Sequence, residues 1–293
     1  MPRPITNADQ LPLAESLLAA GFPVRVVARR TKLDRSVVRR RRDALGIEPH
    51  VAGPRYPFNE RAFDRANADE AMAYWAGFLL ADGSVYTNAQ GGQLRVKLAL
   101  AACDAAHVAR FNEWLGRSGP VLTSSARVRA GGPKFATASV EVSSDRMAAD
   151  LAAWGVIRDK TLRTAIPSWL QRRPDLLRHW LRGYFDGDGH VSVHGPYPTK
   201  PITRTMRITG HGPFLTEVAN HLARKVPTLV GVWCPQPRQS RPTDAHRHIQ
   251  WSALSDLERL HAYLYAGATI WLPRKRDAFD KAITVPGLRP RRR

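Results

Sequence analysis

The chain of 293 residues carries 45 Lys and Arg against 25 Asp and Glu, giving a formal net charge of +20 and a pI of about 11.0. This charge indicates a polyanionic partner, and the excess of Arg over only eight Lys favours nucleic acid, because the guanidinium fork suits phosphates and guanine edges. Two cysteines exclude a four-cysteine zinc site and a disulfide framework. The sequence has neither a secretory opening nor an apolar run of about 20 residues, so we expect no membrane partner. We expect a cytoplasmic location of prokaryotic or phage type.

Residues 1–47 contain three short helix-like stretches, LPLAESLLAAG, VRVVARRT and LDRSVVRRRRDALGI. Pro23 suits the start of the second helix, Asp34 suits the N-cap of the third, and Gly46 suits its end. With a turn near Thr31 to Leu33, this order resembles the helix-turn-helix modules of bacterial DNA-binding proteins, whose last helix enters the major groove. The resemblance implies that the DNA-facing residues are Arg35, Ser36, Arg39 and Arg40. The alternative is an amphipathic three-helix unit with a solvated basic face.

Residues 48–67, EPHVAGPRYPFNERAFDRAN, combine three prolines with little hydrophobic periodicity. This composition predicts a linker between the small helical unit and the rest of the chain.

Two stretches share one design. YWAGFLLADGSVY and WLRGYFDGDGHVSV each read as an apolar helix that ends on Asp-Gly and passes directly into a strand. Gly189 suits the left-handed position that commonly ends a helix. Asp82 and Asp188 are unusual at these ends, because the carboxyl end of a helix carries partial negative charge. A single Asp-Gly is an ordinary turn dipeptide, but the repetition indicates a functional role.

The sequence after each Asp-Gly runs in parallel in the two copies. Each copy continues as strand, helix, strand, strand and helix, from LRVKLALA to RMAADLAAWG in the first and from TRTMRITG to SDLERLHAYLY in the second. The chain therefore contains an internal repeat of one supersecondary unit.

WAGFLLADG and LRGYFDGDG, together with this order over roughly residues 70–283, resemble the LAGLIDADG homing endonucleases in their two-motif, single-chain form. Leu80 replaces the first acid of the consensus in the first copy, and Arg182 stands where a small residue is usual. The resemblance implies an α+β fold of two pseudo-symmetric αββαββα half-domains whose antiparallel sheets form a DNA-binding saddle. We expect the half-domains at 68–170 and 171–285, followed by a basic tail at 286–293.

Alternating strands predict sheets with one apolar and one polar face. In LRVKLALA the leucines and Val96 alternate with Arg95 and Lys97, and the second copy alternates in the same way. A basic, hydroxyl-rich face suits the major groove, although ordinary antiparallel sheets also have a solvated face. The predicted DNA-binding residues of the sheets are Arg95, Lys97, Arg127, Arg129, Thr205 and Arg207, with Arg238 and Arg241 on a Pro-rich loop at the DNA flank.

The resemblance also implies the site. Asp82 and Asp188 would bind Mg²⁺ or another divalent cation, and the carbonyl groups of Ala81 and Gly187 would be further ligands by family analogy. Gly77 and Gly183 would let the two motif helices meet at a pseudo-twofold axis. Two lysines that follow the last helix of each copy, Lys160 and Lys275, match the family's active-site lysines; taken alone, each would be an ordinary exposed lysine.

These expectations describe a monomeric, Mg²⁺-dependent, site-specific endonuclease that makes double-strand breaks in DNA at a long asymmetric site. The alternative is a protein of the same fold that binds without cutting, such as a DNA-binding regulator or an RNA maturase.

Overall fold

The computed structural model describes residues 7–48, 56–87, 92–127, 134–195, 202–226, 229, 232–234 and 246–285. The chain divides into two compact units, Met1–Pro57 and Phe58–Arg293. Within the described ranges, no helix is long and apolar enough to cross a membrane.

The first unit is a bundle of three helices, α1 (Leu11–Ala19), α2 (Val24–Thr31) and α3 (Arg35–Ala44). Its own small core consists of Ala14, Leu18, Val27, Ala28, Leu33 and Val38. Asp34 caps α3 as predicted, because its side chain accepts a hydrogen bond from the Ser36 N–H at 2.7 Å. The Ser36 side chain lowers the pKa of Asp34 by hydrogen bonding, and the Ser36 N–H lowers it further. Gly46 follows α3 in the left-handed conformation with φ +63°.

The second unit contains the predicted repeat. The first copy comprises α4 (Glu70–Asp82), β1 (Gly83–Tyr86), β2 (Arg95–Ala101), α5 (Ala105–Trp114), β3 (Leu122–Arg127), β4 (Lys134–Ser143) and α6 (Asp145–Ala153). After a short α7 (Ser168–Gln171), the second copy comprises α8 (Pro174–Asp188), β5 (Gly189–His194), β6 (Thr203–His211), α9 (Gly212–Lys225), β7 (Val232–Cys234), β8 (His246–Trp251) and α10 (Leu254–Tyr265). A final helix, α11 (Pro273–Thr284), lies beyond the repeat.

Each copy forms a four-stranded antiparallel sheet, in the order β1-β2-β4-β3 and β5-β6-β8-β7. The motif strand pairs with the next strand in both copies, through Gly83 opposite Leu98 and Gly189 opposite Ile208. The predicted α+β fold of two αββαββα repeats is confirmed.

One continuous hydrophobic core fills the second unit. It includes Val96, Leu98 and Leu100 from β2, whereas Lys97 lies on the opposite, open face of that strand. The two motif helices occupy the centre of this core, and nine consecutive residues of α4, Met72 to Leu80, are buried. A helix that is apolar on all sides is expected where both sides are covered by protein.

Part of the stretch predicted as a linker belongs to the second unit. This unit begins at Phe58, and the Phe63 side chain is fully buried. The Asn59 N–H donates to the Leu115 carbonyl at 2.8 Å, and the Trp154 indole donates to the Phe63 carbonyl at 2.9 Å. The few apolar residues of this stretch therefore suffice to fix it on the core, in spite of its prolines.

Candidate active site

The two motif helices pack backbone against backbone through a pair of glycines. A Cβ atom on Gly77 would lie 1.9 Å from the Trp180 carbonyl oxygen, and one on Gly183 would lie 2.0 Å from the Tyr74 carbonyl oxygen. In both helices the contacted carbonyl belongs to the residue three positions before the other glycine. The contact is therefore pseudo-twofold, and it brings the carboxyl ends of α4 and α8 together.

Near these ends the helices remain in contact. A Cβ atom on Gly187 would lie 2.4 Å from the Ala81 Cβ and 3.2 Å from an Asp82 carboxylate oxygen. Ala81 and Gly187 occupy corresponding positions of the two motifs. The space between the two helices holds one methyl group here, which Ala81 has and Gly187 lacks, so the pseudosymmetry is broken at this point.

The prediction of a left-handed backbone at Gly189 is wrong. Gly83 and Gly189 are extended, with ψ of 166° and 162° at a φ of −81° in both. Glycine is required for another reason, because a Cβ atom on Gly189 would lie 2.2 Å from the Phe185 ring. A Cβ atom on Gly83 would likewise lie 2.6 Å from the Leu79 carbonyl oxygen. At both glycines the chain passes from helix into strand and packs closely against the last turn of the helix.

The two acids lie close enough to repel one another. Burial raises the pKa of Asp82, and the negative charge of Asp188 raises it further, whereas the charges of Lys275, Lys160 and Arg274 lower it. Two mutually repelling carboxylates at the ends of two helices form a region that favours a cation.

Each half contributes one lysine to this region, in a corresponding position. The Lys160 ammonium donates to the carbonyl groups of Leu79, at 2.8 Å, and Gly83. The Lys275 ammonium donates to the carbonyl groups of Gly187, at 3.3 Å, and Gly189. Both lysines therefore neutralise the partial negative charge at the end of the motif helix in their own half.

These lysines are not ordinary exposed lysines. Lys275 is only 8% exposed, and burial lowers its pKa, as does the neighbouring charge of Arg274. Burial lowers the pKa of Lys160 to about 8, against the opposing effect of Asp188 and Asp82. A partly desolvated ammonium in a cleft acts more strongly on a nearby anion than an exposed one.

A cavity of about 210 Å³ opens beside Lys160 and Asp188. Its other polar residues include Thr164, Tyr184 and His211. The Tyr184 hydroxyl donates to the Thr209 carbonyl at 2.9 Å, and burial, followed by the charge of Asp188, raises its pKa. Sequence reasoning missed Tyr184, because a tyrosine inside an apolar helix reads as core.

The predicted ligand atoms are of the kind that a hard divalent cation prefers. The carboxylates of Asp82 and Asp188 and the main-chain carbonyls of Ala81 and Gly187 would all provide oxygen. Among the described residues, no group of three or more His, Cys, Asp or Glu could hold a metal ion. A site built from two carboxylates and carbonyls would rely on water or phosphate oxygens, as Mg²⁺ sites commonly do.

Arg95, Lys97, Thr205 and Arg207 lie on the open faces of the sheets, and the predicted DNA-facing residues of the first unit lie on α3. The Arg95 guanidinium bonds Glu141 at 2.8 Å, Arg207 bonds Gln250 at 2.6 Å, and Thr205 shares a hydrogen bond with Ser192 at 2.8 Å. On α3, Arg35, Ser36, Arg39 and Arg40 are all exposed. Arg127 belongs to β3, whereas Arg129, Arg238, Arg241 and the tail 286–293 lie outside the described residues.

Arg182, which departs from the motif consensus, does not separate the helices. Its side chain is fully buried and turns away from the glycine contact to bond Glu70 at 2.8 Å and the Ile270 carbonyl at 2.9 Å. Asp186, the first acid of the second motif, is also fully buried. Its motif position was the only sequence signal for it, and its partners could not be read from the sequence.

No family model and no curated protein matches the chain. Among solved structures, it is similar to the LAGLIDADG homing endonuclease I-GzeII in complex with its DNA target, at 12% identity and a TM-score of 0.48, over 71% of this chain and 88% of that chain. It is also similar to the LAGLIDADG meganuclease I-AabMI bound to uncleaved DNA, at 12% identity and a TM-score of 0.46, over 74% and 90%. For I-SmaMI bound to an uncleaved DNA target in the presence of calcium ions, the identity is 12% and the TM-score 0.41, over 67% and 85%.

Proposed function

We propose that the protein is a site-specific DNA endonuclease that hydrolyses phosphodiester bonds in both strands of a long asymmetric site. The observation that supports this proposal is the proximity of Asp82 and Asp188 to one another and to one partly or fully buried lysine from each repeat. Two acids and two cations at one crossing suit a reaction that is carried out twice on an antiparallel duplex.

Asp82 and Asp188, with the carbonyl groups of Ala81 and Gly187, would hold a divalent cation, for which Mg²⁺ is our expectation. When bound, such an ion supplies Lewis-acid stabilisation of phosphate charge and an activated water. The fit of the site rests on its all-oxygen donors and on the repulsion between its two acids.

Lys160 and Lys275 would act on the phosphate that is being cut. With a pKa of about 8, Lys160 is largely protonated at neutral pH and can stabilise the negative charge that develops on the phosphate oxygens. Because both ammonium groups are held by main-chain carbonyls, their positions are fixed before the DNA arrives.

DNA would lie across the open faces of the two sheets. Arg95, Lys97, Thr205 and Arg207 occupy those faces in the structure. Arg127, Arg129, Arg238 and Arg241 complete the proposed surface.

We assign residues 1–47 to a helix-turn-helix module, 68–170 and 171–285 to the two half-domains, and 286–293 to a basic tail. The exposed arginines of α3 support a role for the first unit in DNA binding. With both half-domains in one chain, the proposed active species is a monomer in the cytoplasm.

Selection from a randomised duplex library in Mg²⁺ tests the proposal. Sequencing of newly formed ends should give one long asymmetric site, and a chelator should abolish the ends. Asp82→Asn and Asp188→Asn should each remove double-strand cleavage while leaving affinity for the selected DNA within about tenfold. Retention of DNA or RNA without cleavage by the wild-type protein would instead support the binding protein or RNA maturase.

A further inference from the structure

A cluster of buried polar side chains surrounds the segment that leads into Lys275. Residues 266–272 connect α10 to α11, and Lys275 lies in the first turn of α11. The fully buried Arg182 guanidinium donates to the Ile270 carbonyl at 2.9 Å, to the Leu264 carbonyl at 3.1 Å and to Glu70 at 2.8 Å. It therefore joins this segment and the end of α10 to the motif helices.

Two carboxylates hold the N–H groups of the same segment. Glu70, in the first turn of α4, accepts a hydrogen bond from the Thr269 N–H at 2.8 Å. Asp186, in the last turn of α8, accepts one from the Leu272 N–H at 2.7 Å and one from the Tyr74 hydroxyl at 2.8 Å. Leu272 is the N-cap residue of α11, so the start of this helix is fixed by a motif acid.

The fixed start of α11 determines where Lys275 lies. The Lys275 N–H bonds the Leu272 carbonyl at 3.0 Å, and its ammonium reaches the carbonyl groups of Gly187 and Gly189. The neighbouring Arg274 donates to Asp104 of the first repeat at 2.8 Å. A lysine of the second repeat is thus positioned partly by residues of the first.

The first repeat lacks this cluster. Ala76 and Leu80 occupy the positions that correspond to Arg182 and Asp186, so the segment around Lys160 is held differently. There, the Ile166 N–H donates to Glu217 of α9 at 2.8 Å. The two lysines are therefore positioned by unlike sets of residues.

A buried ion pair is weak evidence for a contribution to stability, because desolvation of the charges offsets their attraction. The ion pair of Glu70 and Arg182, however, holds main-chain groups next to Lys275, a proposed active-site lysine. We propose that Glu70, Arg182 and Asp186 are positioning residues that act through residues 269–272 on Lys275, and therefore on one of the two strand cuts. This inference rests on the proposed endonuclease function.

The test compares Asp186→Leu, which installs the residue of the first copy, with Asp186→Asn and Glu217→Leu. On the selected DNA site, each strand is labelled separately and single-turnover rates are measured at saturating protein. Asp186→Leu should slow one strand by roughly ten- to a hundredfold, the same strand that Lys275→Met slows. Asp186→Asn should retain most of the wild-type rate on that strand, because its amide oxygen can still accept a hydrogen bond from the Leu272 N–H. Glu217→Leu should slow the cutting of the other strand.

Hydrogen exchange supplies a second readout that does not depend on cleavage. Amides of residues 269–276 should lose protection in Asp186→Leu, whereas residues 160–166 should keep it. If Asp186→Leu does not fold, the pair Glu70→Leu with Arg182→Met removes both members of the ion pair, while Asp186 keeps its hydrogen bonds from the Tyr74 hydroxyl and the Leu272 N–H. Equal slowing of both strands, or unchanged protection at 269–276, would overturn the inference, while a wild-type protein that cuts no DNA would overturn only the proposed function.

Discussion

Lys160 is stabilised more by the charge of Asp188, in the opposite repeat, than by that of Asp82 in its own. For Lys275 the largest favourable charge is that of Asp186 in its own repeat, followed by Asp82 of the opposite repeat and then by Asp188. Each ammonium is held by main-chain carbonyl groups at the end of its own motif helix, while the charge of the acid on the other motif helix also stabilises its protonated form. Both repeats therefore contribute to each half of the site.

The first prediction concerns the two lysines. Lys275→Met and Lys160→Met should each slow the cutting of one strand by about a hundredfold or more, with nearly unchanged affinity, because the interaction is made at the barrier. Nicked DNA should accumulate, and the two variants should leave opposite strands intact. Strand-resolved rates at saturating protein measure this. If either variant binds weakly, loses about one unit of salt slope and yet cuts at the full rate, the lysine is only a phosphate contact.

The second prediction concerns pH. Because the pKa of Lys160 is about 8, the rate of cutting should fall as pH rises through 8 and the ammonium loses its proton. The free energy of unfolding should change in the opposite sense, because above pH 8 the folded state releases this proton before the unfolded state does. The contribution of Lys160 to stability should therefore increase with pH until the pH reaches the ordinary lysine pKa of about 10.4. Single-turnover rates and urea unfolding between pH 7 and about 10 measure both. Lys160→Met should reduce both changes and leave the part due to Lys275, whose pKa is also lowered, and an unaltered profile in that variant would assign them to another group.

The third prediction concerns the glycine contact. Gly77→Ala should lower the free energy of unfolding by about 3 kcal/mol or more, because the new methyl group meets main-chain atoms of Trp180 that cannot move alone. Gly212→Ala is a matched control, since a Cβ atom there would meet only the Arg247 side chain, at 3.8 Å. Denaturant unfolding of both variants checks this. Equal stability of the two variants would show that the motif helices are further apart than described.

The fourth prediction concerns the first unit. Deletion of residues 1–57 should weaken DNA affinity and flatten its salt dependence, because exposed arginines such as Arg35, Arg39 and Arg40 are lost with it. The rest of the chain has its own core and should fold and cut at higher protein concentration. Fluorescence anisotropy at several salt concentrations, with circular dichroism of the truncated protein, measures this. An insoluble product would mean that the two units depend on one another for folding.

The sequence predicted those features that depend on local pattern. Alternation on β2 located Lys97 on the open face, the Asp34 cap began α3 where expected, and the repeated Asp-Gly ended α4 and α8 at Asp82 and Asp188. Each of these features is set by neighbours within a few residues. They could therefore be found without knowledge of the tertiary structure.

Features that depend on distant contacts were not predicted. Glu70 and Arg182 are 112 residues apart, and no periodicity connects them. Asp186 bonds a main-chain N–H, which every residue except proline offers, so its partner Leu272 carries no sequence signal. The extended backbone of Gly189 was missed for a different, local reason, because the constraint comes from the Phe185 ring of the same helix rather than from a turn.

The unlike contacts at the helix crossing bear on how the two repeats could have evolved. A homodimer of first repeats would place two Ala81 methyl groups where there is room for one. A homodimer of second repeats would bury Arg182 without Glu70, since Leu176 stands at the corresponding position. Neither repeat is now its own best partner. If the chain arose by duplication and fusion of a symmetric ancestor, these substitutions have made the fusion irreversible, and exchange of either repeat between relatives would have to carry the matching residues with it.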